Sequence, residues 1–194
     1  YGDKLVEIAA TDEIEDALLE NAGTINAQGG VVQMTARAAK DAVDNVINMS
    51  GVINASSVSQ EGGKIILGGG DSGVVSVSGK LDASGAQGGG EVEVTGQNVE
   101  VASEALVDVS ATDNGDGGEA LIYGDDYAIM RGTILGRGGA NGGNGGFAEV
   151  SAGTTVGYDG LVDLSAPYGI TGTLLIDPRI ININNAPLSG LIAE

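Results

Sequence analysis

The sequence predicts an all-β fold, a right-handed parallel β-helix wound from three-strand coils, and three observations carry this prediction. Glycine supplies 35 of the 194 residues, far above the usual share of ~7%. Hydrophobic residues make up 42% of the chain, which is too many for a disordered linker. Short aliphatic phrases also recur at a nearly constant spacing, which is typical of solenoid proteins.

The first repeated phrase places one aliphatic residue before an Asn, an Asp or another aliphatic residue. Its aliphatic positions are spaced 28, 28, 26, 27 and 28 residues apart. They are Ile25, Ile53, Leu81, Val107, Ile134 and Val162. Because stacked coils place equivalent positions above one another, we expect this set to form one inward-facing column.

A second phrase usually follows a glycine pair and supplies a second inward column. Its members are Ile8, Met34, Leu67, Val94, Ile122, Val150 and Ile176. A third, looser phrase fills most repeats, as at 74–77 and 99–101. Each repeat of ~27 residues therefore predicts three short strands, and the chain about seven rungs. We expect the glycine pairs, among them Gly29–Gly30 and Gly62–Gly63, to turn the corners with positive φ.

Two segments depart from the strand pattern, near 12–21 and 36–45. Apolar residues recur there at helical spacing, as at Ile14, Ala17 and Leu18. That spacing predicts two short helices laid on the outside of the rod.

The composition excludes several classes of function. The chain has 8 basic and 27 acidic residues, a net charge of −19, and neither His nor Cys. Phosphate would be repelled, so a nucleic-acid partner is excluded. The usual zinc and haem ligands are missing, as are a His base and a Cys nucleophile. No apolar run is long enough to span a membrane. We therefore assign no catalytic, cofactor-binding or metal-ligating residue, and predict a protein that is not an enzyme.

Several phrases resemble one known family. They are residues 142–151 (GGNGGFAEVS), 160–167 (GLVDLSAP) and 172–178 (GTLLIDP), with similar coils at 51–56 and 78–85. They are similar to the β-helical shaft of the two-partner secretion exoproteins, the filamentous-haemagglutinin-like adhesins. The resemblance implies a secreted or surface-displayed bacterial protein, exported through an outer-membrane partner. The Asn-Pro-Asn-type motifs of the family's secretion domain are absent.

The leading interpretation is a structural or interaction protein. Residues 1–194 are expected to form a single β-helix segment, an excerpt of a longer repeat fibre that serves adhesion, biofilm or matrix scaffolding. The host receptor, glycan or matrix component is left open. Open strand edges at the ends would also permit end-to-end self-association.

A Ca²⁺-binding module is one alternative. An Asx column (Asn26, Asn54, Asp82, Asp108 and Asp163) would bring carboxylates of neighbouring coils together. Ca²⁺ prefers oxygen ligands but needs six or more of them, so we favour a solvated outer column with ladders of hydrogen bonds along the stack. Asp113 and Asp116 form a second candidate, for which a corner turn is the favoured interpretation.

A glycan-binding module is the other form of this alternative. The aromatic residues Tyr123, Tyr127, Phe147, Tyr158 and Tyr168 all fall in the last three coils. A gathered aromatic strip would stack on sugar rings, whereas the favoured interpretation has Phe147 shield a corner and the tyrosines cover outer strand faces.

A polysaccharide lyase is the third hypothesis. It would pair Asp82 and Asp108 with Arg137 on one face of the rod. The short corners of the later coils build no cleft walls, which disfavours it.

Overall fold

The computed structural model describes residues 5–10, 19–36 and 47–183. In these residues the chain is a parallel β-solenoid of about six complete turns. Their helical content, within these three ranges, is a single 3₁₀ turn at Gly70–Ser72. The predicted all-β parallel β-helix is therefore confirmed.

Each turn has three faces, which we call A, B and C in chain order. Face A stacks β1 (Leu5–Ala10), β4 (Val31–Ala36) and β7 (Lys64–Gly68) under the first halves of β10 (Glu91–Val101), β12 (Glu119–Met130), β14 (Phe147–Tyr158) and β16 (Thr173–Ile183). Face B stacks β2 (Leu19–Asn21), β5 (Ile47–Met49) and β8 (Val74–Val77) under the second halves of the same long strands. Face C stacks β3 (Thr24–Asn26), β6 (Val52–Asn54), β9 (Lys80–Asp82), β11 (Leu106–Asp108), β13 (Thr133–Leu135) and β15 (Leu161–Asp163).

Faces A and B merge in the later turns. The sequence predicts separate strands of three to five residues, but β10, β12, β14 and β16 are 11 or 12 residues long. Each bends between its halves, with register shifts next to Gly96 and after Ala152. In the earlier turns a longer connection separates the two faces, so strands form on either side of it.

The core is built from the predicted columns. Parallel pairing joins Ile25, Ile53, Leu81, Val107, Ile134 and Val162 in that order on face C. On face A it joins Ile8, Met34, Leu67, Val94, Ile122, Val150 and Ile176. The central members of both columns are fully buried. Each such aliphatic side chain contributes about 1.5–3 kcal/mol by leaving water.

The glycine pairs serve close packing more than unusual dihedral angles. Of the four pairs beginning at Gly29, Gly62, Gly89 and Gly117, only Gly29 takes a positive φ, 62°. At Gly62 a Cβ would stand 1.7 Å from the Ala83 carbonyl oxygen, and at Gly89 it would stand 1.8 Å from that of Val109. The expected positive φ is therefore wrong for most of these corners, since glycine is needed there to let neighbouring backbones approach.

The predicted outer helices are corrected where the structure describes them. Leu19–Asn21, inside the first predicted helix, is strand β2 and pairs in parallel with β5. Ala36, at the start of the second, ends strand β4. Both have a register partner in the ladder, which overrides local helical periodicity. The rest of both segments, 12–18 and 37–45, lies outside the described residues.

The solenoid presents strand edges at its two ends. In the described part of the chain, β1 and β3 pair on one side only, as do β15 and β16 at the opposite end. Ile8, an inward residue of the first turn, is 37% exposed because its neighbours cover it from one side.

Candidate functional site

The Asx column closes a turn at the end of four of the six face C strands described above. The side-chain oxygens of Asn54, Asp82, Asp108 and Asp163 each accept a hydrogen bond from the backbone N–H two residues later, at 3.0–3.1 Å. The donors are Ser56, Ser84, Ser110 and Ser165. These are Asx turns inside each coil. The expected ladder of hydrogen bonds between coils is therefore wrong for this column, because these oxygens accept hydrogen bonds from their own coil.

Asp82 is the most strongly held member of the column. Lys80 Nζ donates to its Oδ2 at 2.7 Å, and the Ser84 hydroxyl donates to its Oδ1 at 2.7 Å. Burial raises the pKa of this carboxyl, but the hydrogen bonds from Lys80 and Ser84 outweigh burial, so that the pKa lies below its ordinary value of 3.8. Asp108 lies directly beside Asp82 in the ladder.

Asp113 and Asp116 lie at a corner, and their carboxylates bond to the next coil. Asn141 Nδ2 donates to Asp113 Oδ1 at 2.6 Å, and the Asn144 N–H donates to Asp116 Oδ1 at 2.6 Å. The Asn144 side chain in turn accepts the N–H of Ile170 at 3.0 Å. A ladder of Asx side chains thus runs along the stack at this corner. The 28-residue spacing of Asp116 and Asn144 was the sequence signal for it.

In the described ranges, no group of three or more acidic side chains comes together in a geometry that would hold a metal ion. No helix among the same residues is long and apolar enough to cross a membrane.

Arg137 lies beside Asp163 and not between Asp82 and Asp108. Its Nε is 4.0 Å from Asp163 Oδ2, while Asp82 is paired with Lys80. Both members of the Arg137 pair are about half exposed, so solvent screens it strongly. The structure does not bring together the three residues that the lyase hypothesis needs.

The aromatic residues do not form one strip. Phe147 and Tyr123 are half-buried on the outside of face A, Tyr127 is half-buried on the outside of face B, and Tyr168 is 75% exposed in a corner. Tyr158 points inward and is only 7% exposed, in register with Met130. Burial raises the pKa of its phenol. The expectation that the tyrosines cover outer strand faces is wrong for Tyr158, which lies in an inward column beside Met130, and for Tyr168, which lies in a corner.

One open groove of about 630 Å³ crosses the outside of face B, and we call it the Gly157 groove. Its lining includes Tyr127, Ile129, Arg131, Thr155 and Gly157. Three carboxylates, those of Glu100, Asp126 and Asp159, also line it. Sequence reasoning singled out Tyr127 but missed the groove, because it depends on which residues of three successive coils stand side by side.

A second groove, of about 860 Å³, runs along the corner between faces C and A. Glycine pairs such as Gly62–Gly63 and Gly89–Gly90 form much of its lining. Lys64 bridges two coils beside it, with Nζ 2.5 Å from Glu91 Oε1 and 3.7 Å from Glu93 Oε2. The hydrogen bond to Glu91 raises the Lys64 pKa above its ordinary value, although partial burial lowers it. Lys64 thus joins its own strand to the acidic strand of the next coil.

Comparison with known proteins finds no matching family model and no curated relative of this chain.

Proposed function

We propose that this chain is a segment of the shaft of a secreted bacterial surface adhesin or extracellular fibre. The observation that carries the proposal is the continuous parallel ladder. On face A, seven strands from β1 to β16 pair in one unbroken order. Such a ladder transmits load along the rod axis through many parallel hydrogen bonds, which suits a part that holds another surface at a distance.

The one-sided pairing at the two ends also favours this function. An unpaired strand edge with exposed aliphatic residues is a template for another strand. Ile8, an inward residue of β1, is 37% exposed, and Val162, an inward residue of β15, is only half-buried. Further coils of the same polypeptide would cover both edges; end-to-end association of separate copies is the alternative.

Charge supports an extended, separate rod. The net charge of −19 is spread over 194 residues. Like charge keeps neighbouring rods apart and soluble.

The handedness of the solenoid and its number of rungs are also part of this proposal. The winding is right-handed, since connections between parallel strands of one sheet almost always are. The number of rungs in the whole chain is about seven.

The proposal that the chain is exported depends on the similarity of segments such as residues 172–178 to the shafts of the two-partner secretion exoproteins. An outer-membrane partner exports the chain, which is secreted or displayed on the cell surface. The receptor is a host surface, glycan or matrix component.

Surface labelling tests this function. Antibodies raised against the folded chain are applied to intact and to permeabilised cells of the bacterium that makes it, with a cytoplasmic protein as control. We expect intact cells to be labelled, and the label to be lost when the outer-membrane partner is deleted. Labelling that appears only after permeabilisation would contradict the proposal.

A further inference from the structure

Gly157 is a glycine that neither the backbone nor the packing of the solenoid requires. It lies inside β14 and faces outward, half-buried. A Cβ built there would meet Ile129 Cγ1 at 3.6 Å and Cγ2 at 3.7 Å, which is ordinary contact, and its φ is not in the left-handed region. Glycine inside a strand costs about 0.5–1 kcal/mol relative to alanine.

Other glycines of the long strands differ in this respect. At Gly124 a Cβ would stand 2.0 Å from the Tyr127 carbonyl oxygen, and at Gly153 it would stand 2.2 Å from that of Asp125. Those two positions admit no side chain. A glycine inside a strand that has room for a side chain points to the close approach of something outside the strand.

The neighbours of Gly157 form an apolar wall of the size of a sugar ring. Ile129 is the direct register partner of Gly157, and Tyr127 is the partner of Thr155. Tyr127 and Ile129 are both on the outer side of β12, two residues apart, so that their side chains rise side by side about 7 Å apart. The Tyr127 hydroxyl donates to Glu100 Oε1 at 3.3 Å, which orients the ring.

The polar groups of the groove include both acceptors and a donor that is not already used. Arg131 forms no ion pair or side-chain hydrogen bond in the described part of the chain, although Asp126 and Asp159 line the same groove. A hydroxyl group both donates and accepts, so vicinal hydroxyls suit a carboxylate on one side and a guanidinium on the other.

We propose that the Gly157 groove binds a hexose ring of a neutral glycan. The C–H face of the ring packs on Tyr127 and Ile129, in the space that Gly157 leaves open. Its hydroxyls donate to the carboxylates of Glu100 and Asp159 and accept from Arg131. An anionic sugar is disfavoured, because the groove holds three carboxylates against one guanidinium. The proposal rests on the solenoid alone and stands whether or not the chain is exported.

An array of immobilised neutral and uronate-containing oligosaccharides, probed with the 194-residue chain, tests this site. We expect retention on at least one neutral hexose glycan and on none of the uronate-containing ones. Isothermal titration with the retained glycan then measures two variants of the groove against the parent chain. Gly157→Val fills the groove and Tyr127→Ala removes the aromatic wall, and each is expected to weaken binding by about ten-fold or more.

Two further variants keep the result interpretable. Arg131→Ala removes a side chain that forms no ion pair or side-chain hydrogen bond in the described part of the chain, so we expect the fold to be kept while affinity for the glycan falls. Tyr123→Ala removes a half-buried outer tyrosine of face A and is expected to leave affinity unchanged. The site would be overturned by an array with no neutral glycan bound, by preferential retention of uronates, or by equal affinity of the parent, Gly157→Val and Arg131→Ala.

Discussion

The Asp82 carboxylate closes an Asx turn and also pairs with Lys80, and this makes it a test of how the corners depend on pH. Its pKa is lower in the folded chain than its ordinary value of 3.8. A carboxyl with a lowered folded pKa stabilises the fold above the unfolded pKa, and this contribution is lost as the pH falls through the folded pKa. The relevant window is therefore below about pH 4.

We expect Asp82→Asn to reduce the melting temperature at pH 7 and to lessen its further fall between pH 4 and pH 2.5. Asn keeps the turn acceptor but removes the charge that Lys80 contacts. Asp108→Asn is the matched control, since Asp108 closes the same kind of turn and, among the described residues, has no lysine or arginine within ion-pair distance. Melting temperatures measured across this range check the prediction, and parallel acid profiles for the parent and Asp82→Asn would contradict it.

Substitution by alanine is expected to change the stability of the fold in opposite directions at Gly124 and at Gly157. Gly124→Ala places a Cβ against the Tyr127 carbonyl and should destabilise the fold by about 1–3 kcal/mol, as overpacking does. Gly157→Ala meets only Ile129 at ordinary contact, and should be neutral or stabilise the fold by up to about 1 kcal/mol. Denaturant titration of both variants measures the difference, and equal losses would show that Gly157 is structural.

At this scale the sequence predicted the interior well and the outside poorly. Aliphatic residues such as Leu81 and Val94 recur once per coil. Because only one side of each strand faces the core, this recurrence predicts which side chains point inward. Tyr158 faces inward although tyrosine favours the outer side of a strand, because it lies two residues after the buried Val156 and therefore on the same side of β14. The oxygens of Asn54, Asp82, Asp108 and Asp163 are bonded within their own coils because the backbone N–H two residues later is in reach, a local contact that the vertical spacing of the column does not reveal.

Strand register is the property on which all the columns depend. Leu106 pairs with Thr133, and Thr133 pairs with Leu161, on the outside of face C. The chain has no cysteine, so engineered pairs are unambiguous. Neighbouring positions in the ladder lie about 5 Å apart, within the Cα range of a disulfide, whereas positions two coils apart lie about 10 Å apart.

We therefore expect Leu106→Cys/Thr133→Cys to form an intramolecular disulfide on mild oxidation. Leu106→Cys/Leu161→Cys serves as the control and should stay reduced. Mass spectrometry of the oxidised proteins distinguishes the two. A crosslink in the control pair, or none in the adjacent pair, would mean that the coils are not stacked in this register.

Element boundaries were less predictable than the columns. Faces A and B join into single bent strands wherever only a short bend separates them, as at Gly96 in β10 and Gly124 in β12. The sequence shows two apolar phrases whether faces A and B are one bent strand or two separate strands. A bend and a corner differ only in backbone path, which hydrophobic periodicity does not record. Leu19–Asn21 became a strand despite a helical pattern, since pairing with β5 decides its conformation.

The acidic surface governs how whole rods behave toward one another. The sequence pI is about 4.1, so repulsion between rods disappears near that pH. We expect light scattering of the folded chain to rise sharply as the pH approaches 4 and to stay low at pH 7. A flat scattering profile through pH 4 would mean that the charge is not what keeps rods apart.

The length of the native particle tests the central claim, that this segment is part of a long solenoid shaft, most directly. Six turns at ~4.8 Å each give a rod of about 29 Å. Electron microscopy of the protein as its own bacterium makes it is expected to show rods many times longer, with denaturing mass deciding between one long chain and an assembly of copies. Compact particles no longer than about 29 Å would contradict the shaft.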